Sequence, residues 1–394
     1  MIHIIAGGTV NEVRPHLALC APARGLVGET LYDLFRVKGE EVCLHLTWMA
    51  GGKRELRSND DVARRLTELV SHSDAGTAII MAAAICDYYG FIEGEGRLES
   101  RDGNQVMQLT PADKLVGSIR KQRKDLFAVG FKATYGQSQD VMYSSGLRLM
   151  KEASLNLVLA NDIETQVNMV IVPEEARYHV GSREDALAGL VELVRLRRGL
   201  TYTRSDVVPG KPVPWEQAPL ALRQVVEWLI CAGAYQKGPT GATVGHFAYW
   251  IGNGALVTTI RKGDINRIEE TGMVLVDASS ERVRAFGAKP SVGGQSQRII
   301  FNDHPEHDCI VHFHSHCAVP GPSQYPYECG SHECGQNASN GLRKVGRLGV
   351  VNLVGHGPLI TFRSEDEGIA EEAIEWISRN CKVREKTGGP VCVQ

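Results

Sequence analysis

Short apolar runs alternate with stretches of helical spacing from residue 1 to about residue 199. Residues 2–6 read as a strand running into Gly7-Gly8-Thr9, and Val42–Leu46 as a second strand. Between them, Leu31, Leu34 and Phe35 recur at helical spacing within residues 28–37. Residues 62–71 form an amphipathic helix, 78–83 a buried strand, 127–131 and 155–160 further strands, and 183–198 a long helix. Strands alternating with helices predict a parallel sheet covered by helices on both faces, a Rossmann-like α/β domain over residues 1–200.

The texture changes after Gly199. Pro209, Pro212, Pro214 and Pro219 crowd one short stretch with Gly210 among them, so residues 201–218 read as a semi-rigid linker. A second domain over residues 219–394 opens with a helix at 220–234. Short segments with glycine turns follow, then a histidine-rich strand at 309–316, a loop rich in Gly, Pro, Cys and Ser, a strand at 349–354 and a helix at 365–380. Strands separated by turns rather than helices predict a mainly antiparallel sheet. The last dozen residues read as frayed, and no internal repeat is visible.

Length and composition leave this picture intact. At 394 residues, two domains are expected, and 43% hydrophobic with 23% charged residues is ordinary globular composition. A net charge of -3 gives no electrostatic reason for a nucleic-acid or membrane partner, and no apolar run is long enough to span a bilayer. The start, MIHIIAGGTV, lacks the charged region and cleavage site of a signal peptide, so a cytoplasmic protein is expected. Of ten cysteines, Cys43, Cys86, Cys231 and Cys309 sit singly in apolar segments, and reduced thiols are the expectation. Cys317, Cys329, His332 and Cys334 form a separate cluster, read as a second, structural metal site or as a plain loop.

The sharpest chemical signal is DCIVHFHSH at residues 308–316. Side chains alternate faces along a strand, so His312 and His314 share one side, as would His316 if the strand reached so far. Two imidazoles on one face chelate a divalent ion, and a third from elsewhere leaves a position open for water or substrate. Gly355-His356-Gly357, after the apolar NLV, supplies that third histidine in a glycine-permitted turn.

HPEHDCIVHFHSH followed by GHG resembles the class II aldolase/adducin family over residues 220–380. That resemblance implies a divalent metal held by His312, His314 and His356, acting as Lewis acid in aldol cleavage, epimerisation or dehydration of a hydroxy-carbonyl compound. Zinc suits such donors, and manganese, iron or cobalt also fit. The family's carboxylate ahead of the His-Pro-Glu turn is missing, since this stretch reads Ser291-Val292-Gly293-Gly294-Gln295. The acid/base is then expected in the loop after His314, at Glu333 or Glu328. The anion-anchoring stretches read Thr240-Gly241-Ala242-Thr243 and Thr259-Ile260-Arg261-Lys262-Gly263, leaving Thr259, Arg261, Lys262 and Ser291 as candidate substrate ligands.

In the first half, AGGT, VRP, MAAAICDYYG, LTPADKL, AVGFKAT and LVLAND follow one another as in phosphopantothenoylcysteine synthetase, over about residues 1–200. This resemblance implies a nucleotide (CTP or ATP, with magnesium) activating a carboxylate for amide formation. Gly7, Gly8 and Thr9 would line the phosphates, Asp87 the substrate or metal end, and Ala160, Asn161 and Asp162 the base. The family's lysine-rich stretch is replaced by Arg97-Leu98-Glu99-Ser100-Arg101, and its G-F-A-A-E-T by Gly130-Phe131-Lys132-Ala133-Thr134, which puts Lys132 among the phosphate ligands. The expected whole is a bifunctional metabolic enzyme, homo-oligomeric as a dimer or tetramer, acting on small molecules. Two alternatives stand beside it: a catalytic second domain with a first domain that only holds substrate, or a non-catalytic, adducin-like scaffold.

Overall fold

The computed structural model describes residues 1–203, 205–237, 241–279, 282–318, 325–383 and 392–393. The expected fraying of the last dozen residues lies almost entirely outside them. The chain forms two compact units, one of Met1–Pro173 and His179–Arg198, the other of Glu174–Tyr178 and Gly199–Gln394.

In the first unit the strands are β1 (Ile2–Gly8), β2 (Val10–Arg14), β3 (Leu17–Cys20), β4 (Val42–Leu46), β5 (Ala78–Ala84), β6 (Tyr88–Phe91), β7 (Gln108–Pro111), β8 (Phe127–Thr134), β9 (Leu157–Asp162), β10 (Asn168–Ile171) and β11 (Arg177–Gly181). The helices are α1 (Leu26–Val37), α2 (Asn59–His72), α3 (Ser118–Gln122), α4 (Gln139–Ala153) and α5 (Arg183–Arg197). The main sheet runs β11-β10-β9-β8-β5-β1-β4. Its four central pairings from β9 through β4 are parallel as expected, and β10 is antiparallel to β9. Ile5, Ile79, Met81 and Ala128 pack against Val62, Leu66 and Val70 of α2 and Met142, Leu147 and Met150 of α4. Alternation sends Ile2 and Ile4 to the opposite face, where α1 lies on β1.

Two details of this unit are fixed by contact. A Cβ on Gly28 would lie 2.2 Å from the Cβ of Ala6, so α1 approaches the sheet as closely as it does only with glycine there. Asp162, at the end of β9, is an acceptor hub. Its carboxylate takes the amides of Gly136 (3.0 Å), Gln137 (3.0 Å), Glu164 (3.1 Å) and Thr165 (2.9 Å) and the hydroxyls of Thr134 (2.8 Å) and Thr165 (3.1 Å).

The second unit adds β12 (Ser205–Val208), β13 (His246–Gly252), β14 (Ala255–Thr259), β15 (Met273–Asp277), β16 (Val283–Phe286), β17 (Cys309–His312), β18 (Arg343–Val345), β19 (Leu348–Leu353) and β20 (Gly357–Phe362). Its helices are α6 (Leu220–Cys231), α7 (Ile268–Thr271), α8 (Gln295–Asp303), α9 (His332–Gly341) and α10 (Ile369–Asn380). The nine strands run β12-β16-β15-β14-β13-β17-β20-β19-β18, antiparallel throughout except for the β12–β16 pair. The proline-rich stretch is built into this unit. Ser205–Val208 forms an edge strand, and Trp215 is buried against Phe247 at 5.2 Å between ring centroids.

Strand alternation sorts the core into two layers. Phe247, Tyr249, Cys309, Val311 and Phe313 face Leu222, Val225 and Leu229 of α6 and Ala373 and Ile377 of α10. Ala248, Leu256 and Ile310 face Ile300 and Phe301 of α8 and Ala338 of α9. One correction concerns the cysteines: Cys317 and Cys381 are joined in a buried disulfide, not held as thiols. Their segments pair as an antiparallel bridge, which brings two residues 64 apart in sequence into register.

Two outcomes follow for the first unit. Gly28→Val forces α1 off β1, and a loss of about 2–3 kcal/mol is expected from overpacking, read as an earlier denaturation midpoint. For Asp162, the Thr165 amide first, then the Gln137 amide, the Thr134 hydroxyl and the Gly136 amide, hold the carboxyl well below the usual carboxylate range. A lowered folded pKa contributes stability that is present above the unfolded value, about 3.9, and is lost as pH falls. Urea denaturation should therefore show wild type more stable than Asp162→Asn at neutral pH, with the gap closing below about pH 4. An unchanging gap would remove the ionised carboxylate from the account.

Candidate metal centre

β17 supplies the first ligand candidate and its neighbours position it. His312 is the last residue of β17, register-paired with His246 of β13 on one side and Leu359 of β20 on the other. By parity both histidines share the face of Ala248 and Ile310, toward α8. The strand ends at His312, so His314 belongs to the following turnless segment and His316 is exposed. His316 therefore does not continue the row. Phe313, packed in the opposite layer, still sends His314 back to the histidine side.

His356 enters from the β19–β20 turn, where its amide bonds to Leu353 O at 2.9 Å. Both flanking glycines have positive φ, +76° at Gly355 and +102° at Gly357. A Cβ would lie 2.0 Å from the Tyr178 hydroxyl oxygen at Gly355 and 2.6 Å from Phe313 O at Gly357. Glycine is thus required twice, for conformation and for space.

Four imidazoles assemble there. Ring centroids lie 5.0 Å apart for His246 and His312, 5.1 Å for His312 and His314, and 5.7 Å for His314 and His356. His246, His312 and His356 are 5%, 1% and 2% exposed. Burial, and then the neighbouring His356, pushes His246 down to about 4. Burial followed by His356 and His246 takes His314 to about 3, and His312 is also driven well below the ordinary imidazole range by burial and its three histidine neighbours. These rings are neutral at pH 7.

Their hydrogen bonds fix which nitrogen carries the proton. His312 Nδ1 lies 2.8 Å from Pro358 O and His356 Nδ1 lies 3.0 Å from Val354 O. A carbonyl only accepts, so both Nδ1 atoms donate, and the neutral His312 presents a lone pair at Nε2. His312 Nε2 is buried with no hydrogen-bond partner, which costs stability unless an ion or ligand takes the lone pair. His246 differs. The Thr258 hydroxyl donates to Phe247 O at 2.9 Å and so accepts from Gln297 Nε2 at 2.9 Å. The other amide proton of Gln297 then points at His246 Nδ1, 3.0 Å away, leaving His246 with its proton on Nε2. A neutral imidazole with Nδ1 held by a carbonyl and Nε2 buried without a partner, beside two further histidines, suits a transition-metal ion better than an apolar core.

The remaining expected residues are distributed as follows. The isolated bridge between Ile260 and Pro290, with the Arg261 amide on Lys289 O at 2.8 Å, brings Thr259, Arg261 and Ser291 to neighbouring positions. Thr259 is buried with its hydroxyl unpartnered, Ser291 is half-buried, and Arg261 and Lys262 are exposed, Lys262 with φ +62°. Thr240 lies outside the described residues. Both Glu333 oxygens accept from the Thr201 amide, at 3.1 and 3.0 Å. Glu328 sits in the turn before α9, its carbonyl accepting from Ser331. The carboxylate beside the histidines is Glu174, whose Oε1 is 3.6 Å from His356 Nε2. The Cys317–His332 cluster does not assemble, because Cys317 is in a disulfide and His332 Nε2 pairs with Thr203 Oγ1 at 2.6 Å.

In the first unit, β1 runs through Gly7 and Gly8 into the β2–β3 hairpin, and α1 begins only at Leu26. The Gly8 amide donates to Ala23 O at 2.8 Å and the Thr9 amide to Ala84 O at 3.1 Å. The Thr9 hydroxyl donates to Asn59 Oδ1 at 2.6 Å and accepts from the Cys86 amide at 2.8 Å. Asp87 is exposed and ion-paired with Lys114. Lys132 and Asn161 lie at the ends of β8 and β9, where Lys132 is in register with the buried Ala160 and Ala133 with Asn161.

His246, Gln297, Glu174 and Cys329 are the site residues that sequence reasoning missed or assigned elsewhere. His246 carried a usable signal, a histidine after Gly245 at the start of an apolar strand. Glu174 carried none, lying 155 residues from the Cys329 amide it accepts at 3.0 Å.

Comparison with known proteins agrees with this division. Residues 1–186 match the family model of the DNA/pantothenate metabolism flavoprotein C-terminal domain, and residues 228–321 match the Class II Aldolase and Adducin N-terminal domain. The coenzyme A biosynthesis bifunctional protein CoaBC of Thermococcus kodakarensis is 22% identical over 166 residues, 41% of this chain and 41% of that protein. The chain thus spans about two fifths of the length of that curated relative. Among solved structures, the DNA/pantothenate metabolism flavoprotein from Streptococcus pneumoniae is 18% identical, with TM-score 0.43 over 48% of this chain and 96% of its own. An L-fuculose 1-phosphate aldolase is 17% identical, with TM-score 0.31 over 45% of this chain and 92% of its own. The chain carries, in order, a domain of the DNA/pantothenate metabolism flavoprotein C-terminal family, matching CoaBC, and a class II aldolase/adducin domain.

Proposed function

We propose that this chain is a bifunctional metabolic enzyme whose second domain is a divalent-metal-dependent lyase acting on a hydroxy-carbonyl compound. The observation that carries this reading is the buried, unpartnered lone pair of His312 beside two further histidines. His312, His314 and His356 would hold the ion, zinc by preference. Bound there, it would polarise the substrate oxygen on which charge develops. His246, with its proton held on Nε2 by Gln297, is suited to donate a hydrogen bond to that oxygen. Thr259, Arg261, Ser291 and Lys262 would take a phosphate or carboxylate on the substrate. Glu333 and Glu328 remain the acid/base candidates of the loop, though Glu333 must first release the Thr201 amide.

The first domain is proposed to bind CTP or ATP with magnesium and to perform ligase-like activation. A second reading, with only the lyase domain turning over, is favoured by one observation: the Gly8 and Thr9 amides already serve backbone carbonyls and are not offered to a phosphate. The intact protein is proposed to be a homo-oligomer.

Metal analysis of protein purified without chelator is expected to find about one equivalent of a transition metal per chain. His312→Ala and His356→Ala should lose it, while His246→Ala should keep it. A metal-free wild type, or metal retained in both ligand variants, would sink the lyase reading. For the first domain, calorimetric titration with CTP and magnesium should give saturable heat that Lys132→Ala weakens. Silence with both CTP and ATP would leave the second domain as the active one.

A further inference from the structure

The sequence offers no acid where the class II family places one, between Ser291 and Gln295, so three imidazoles stand without a protein-derived negative charge in that position. The structure supplies charge from two other places. His356 Nδ1 lies 3.0 Å from Val354 O, and its Nε2 faces Glu174 Oε1 at 3.6 Å. The two side chains are 2% and 6% exposed. An imidazole nitrogen and a carboxylate oxygen aimed at one buried point are donor types that a divalent transition-metal ion takes. Ligands of one tetrahedral zinc ion, with bonds of about 2.0–2.2 Å, stand about 3.4 Å apart, close to the separation seen.

Cys329 joins the same point. Its amide donates to Glu174 Oε1 at 3.0 Å, which ties the thiol-bearing loop to the carboxylate. A ligand atom from each of Glu174, Cys329 and His356 lies within 4.8 Å of the others. His314 stands edge-on to His356 at 90°, so the group is continuous with the histidine row.

We propose that Glu174 and Cys329 are the carboxylate and thiolate donors that complete the metal centre of His312, His314 and His356. This rests on the metal reading above and assigns what that reading leaves open. The chemistry has two consequences. A thiolate donor favours zinc over manganese or magnesium. Five available donors also exceed the four of an ordinary zinc site, so either the ion takes five ligands or one donor stands aside when substrate binds.

The test uses the full chain, stripped of metal and titrated with cobalt(II), which reports thiolate ligation as a near-ultraviolet charge-transfer band. The band is expected in wild type and in Cys334→Ser, and its loss is expected in Cys329→Ser. Glu174→Gln should bind zinc at least about tenfold more weakly, since a ligand matters no less than an outer-shell partner. A second readout needs no variant: zinc should protect Cys329 of the wild-type protein from alkylation, mapped by peptide mass spectrometry. Cobalt bound without the band, with Cys329 alkylated equally fast with and without zinc, overturns the thiolate and leaves the three-histidine reading standing. Unchanged zinc affinity in Glu174→Gln overturns the carboxylate. Failure of the wild type to bind either metal removes the metal reading itself, and this proposal with it.

Discussion

Neutral imidazoles buried side by side are tolerable only if every ring nitrogen has something to do. At the centre of the nine-stranded sheet, backbone carbonyls at Pro358 and Val354 and the Gln297 amide each fix one nitrogen of one ring. What is left over includes the His312 Nε2 lone pair, buried without a hydrogen-bond partner, and the His246 Nε2 proton. The rest of the second unit follows from holding these few bonds: β13, β17 and β20 must be adjacent, α8 must bring Gln297 to the strand face, and the β19–β20 turn must be tight enough to return His356 to the row.

Glycine is the means by which the backbone comes close enough. Gly355 and Gly357 let the turn meet the Tyr178 hydroxyl and Phe313 O at distances that exclude a Cβ, and at Gly245 a Cβ would lie 2.7 Å from His312 O. In the first unit Gly28 does the same for a helix on a sheet. Asp162 serves there as a polar counterpart, collecting the amides of two loops on one carboxylate so that the ends of β8 and β9 stay in place. A residue expected to meet a nucleotide base thus has a full set of internal partners.

The two domains bring different chemistries into one chain. The first matches a family whose curated relative belongs to coenzyme A biosynthesis, while the second matches class II aldolases and adducins. Against both resemblances the differences noted in sequence fall on charged groups: Arg97 and Arg101 stand in the stretch expected to be lysine-rich, and residues 291–295 carry no acid.

Periodicity alone located the central parallel strands of the first unit, because burying both faces of a central strand leaves a local record in residue type. β4 appears with its bounds as read, and β1, β5, β8 and α5 within a few residues. The exposed pair β6–β7 left no such record, and the buried positions of β2 include the polar Asn11 and Arg14, which no apolar pattern marks. His312, His314 and His356 were legible because strand parity and glycine flanks are local features. The tertiary structure alone decided the partners of those histidines. His246 reaches His312 through strand pairing, Glu174 comes from 155 residues before Cys329, and Cys317 finds Cys381 across 64 residues. Glu333, promising by its place after His314, is turned to the Thr201 amide instead. Sequence records what each residue prefers as neighbour and conformation, whereas which distant carboxylate meets which imidazole depends on how the chain closes its sheet.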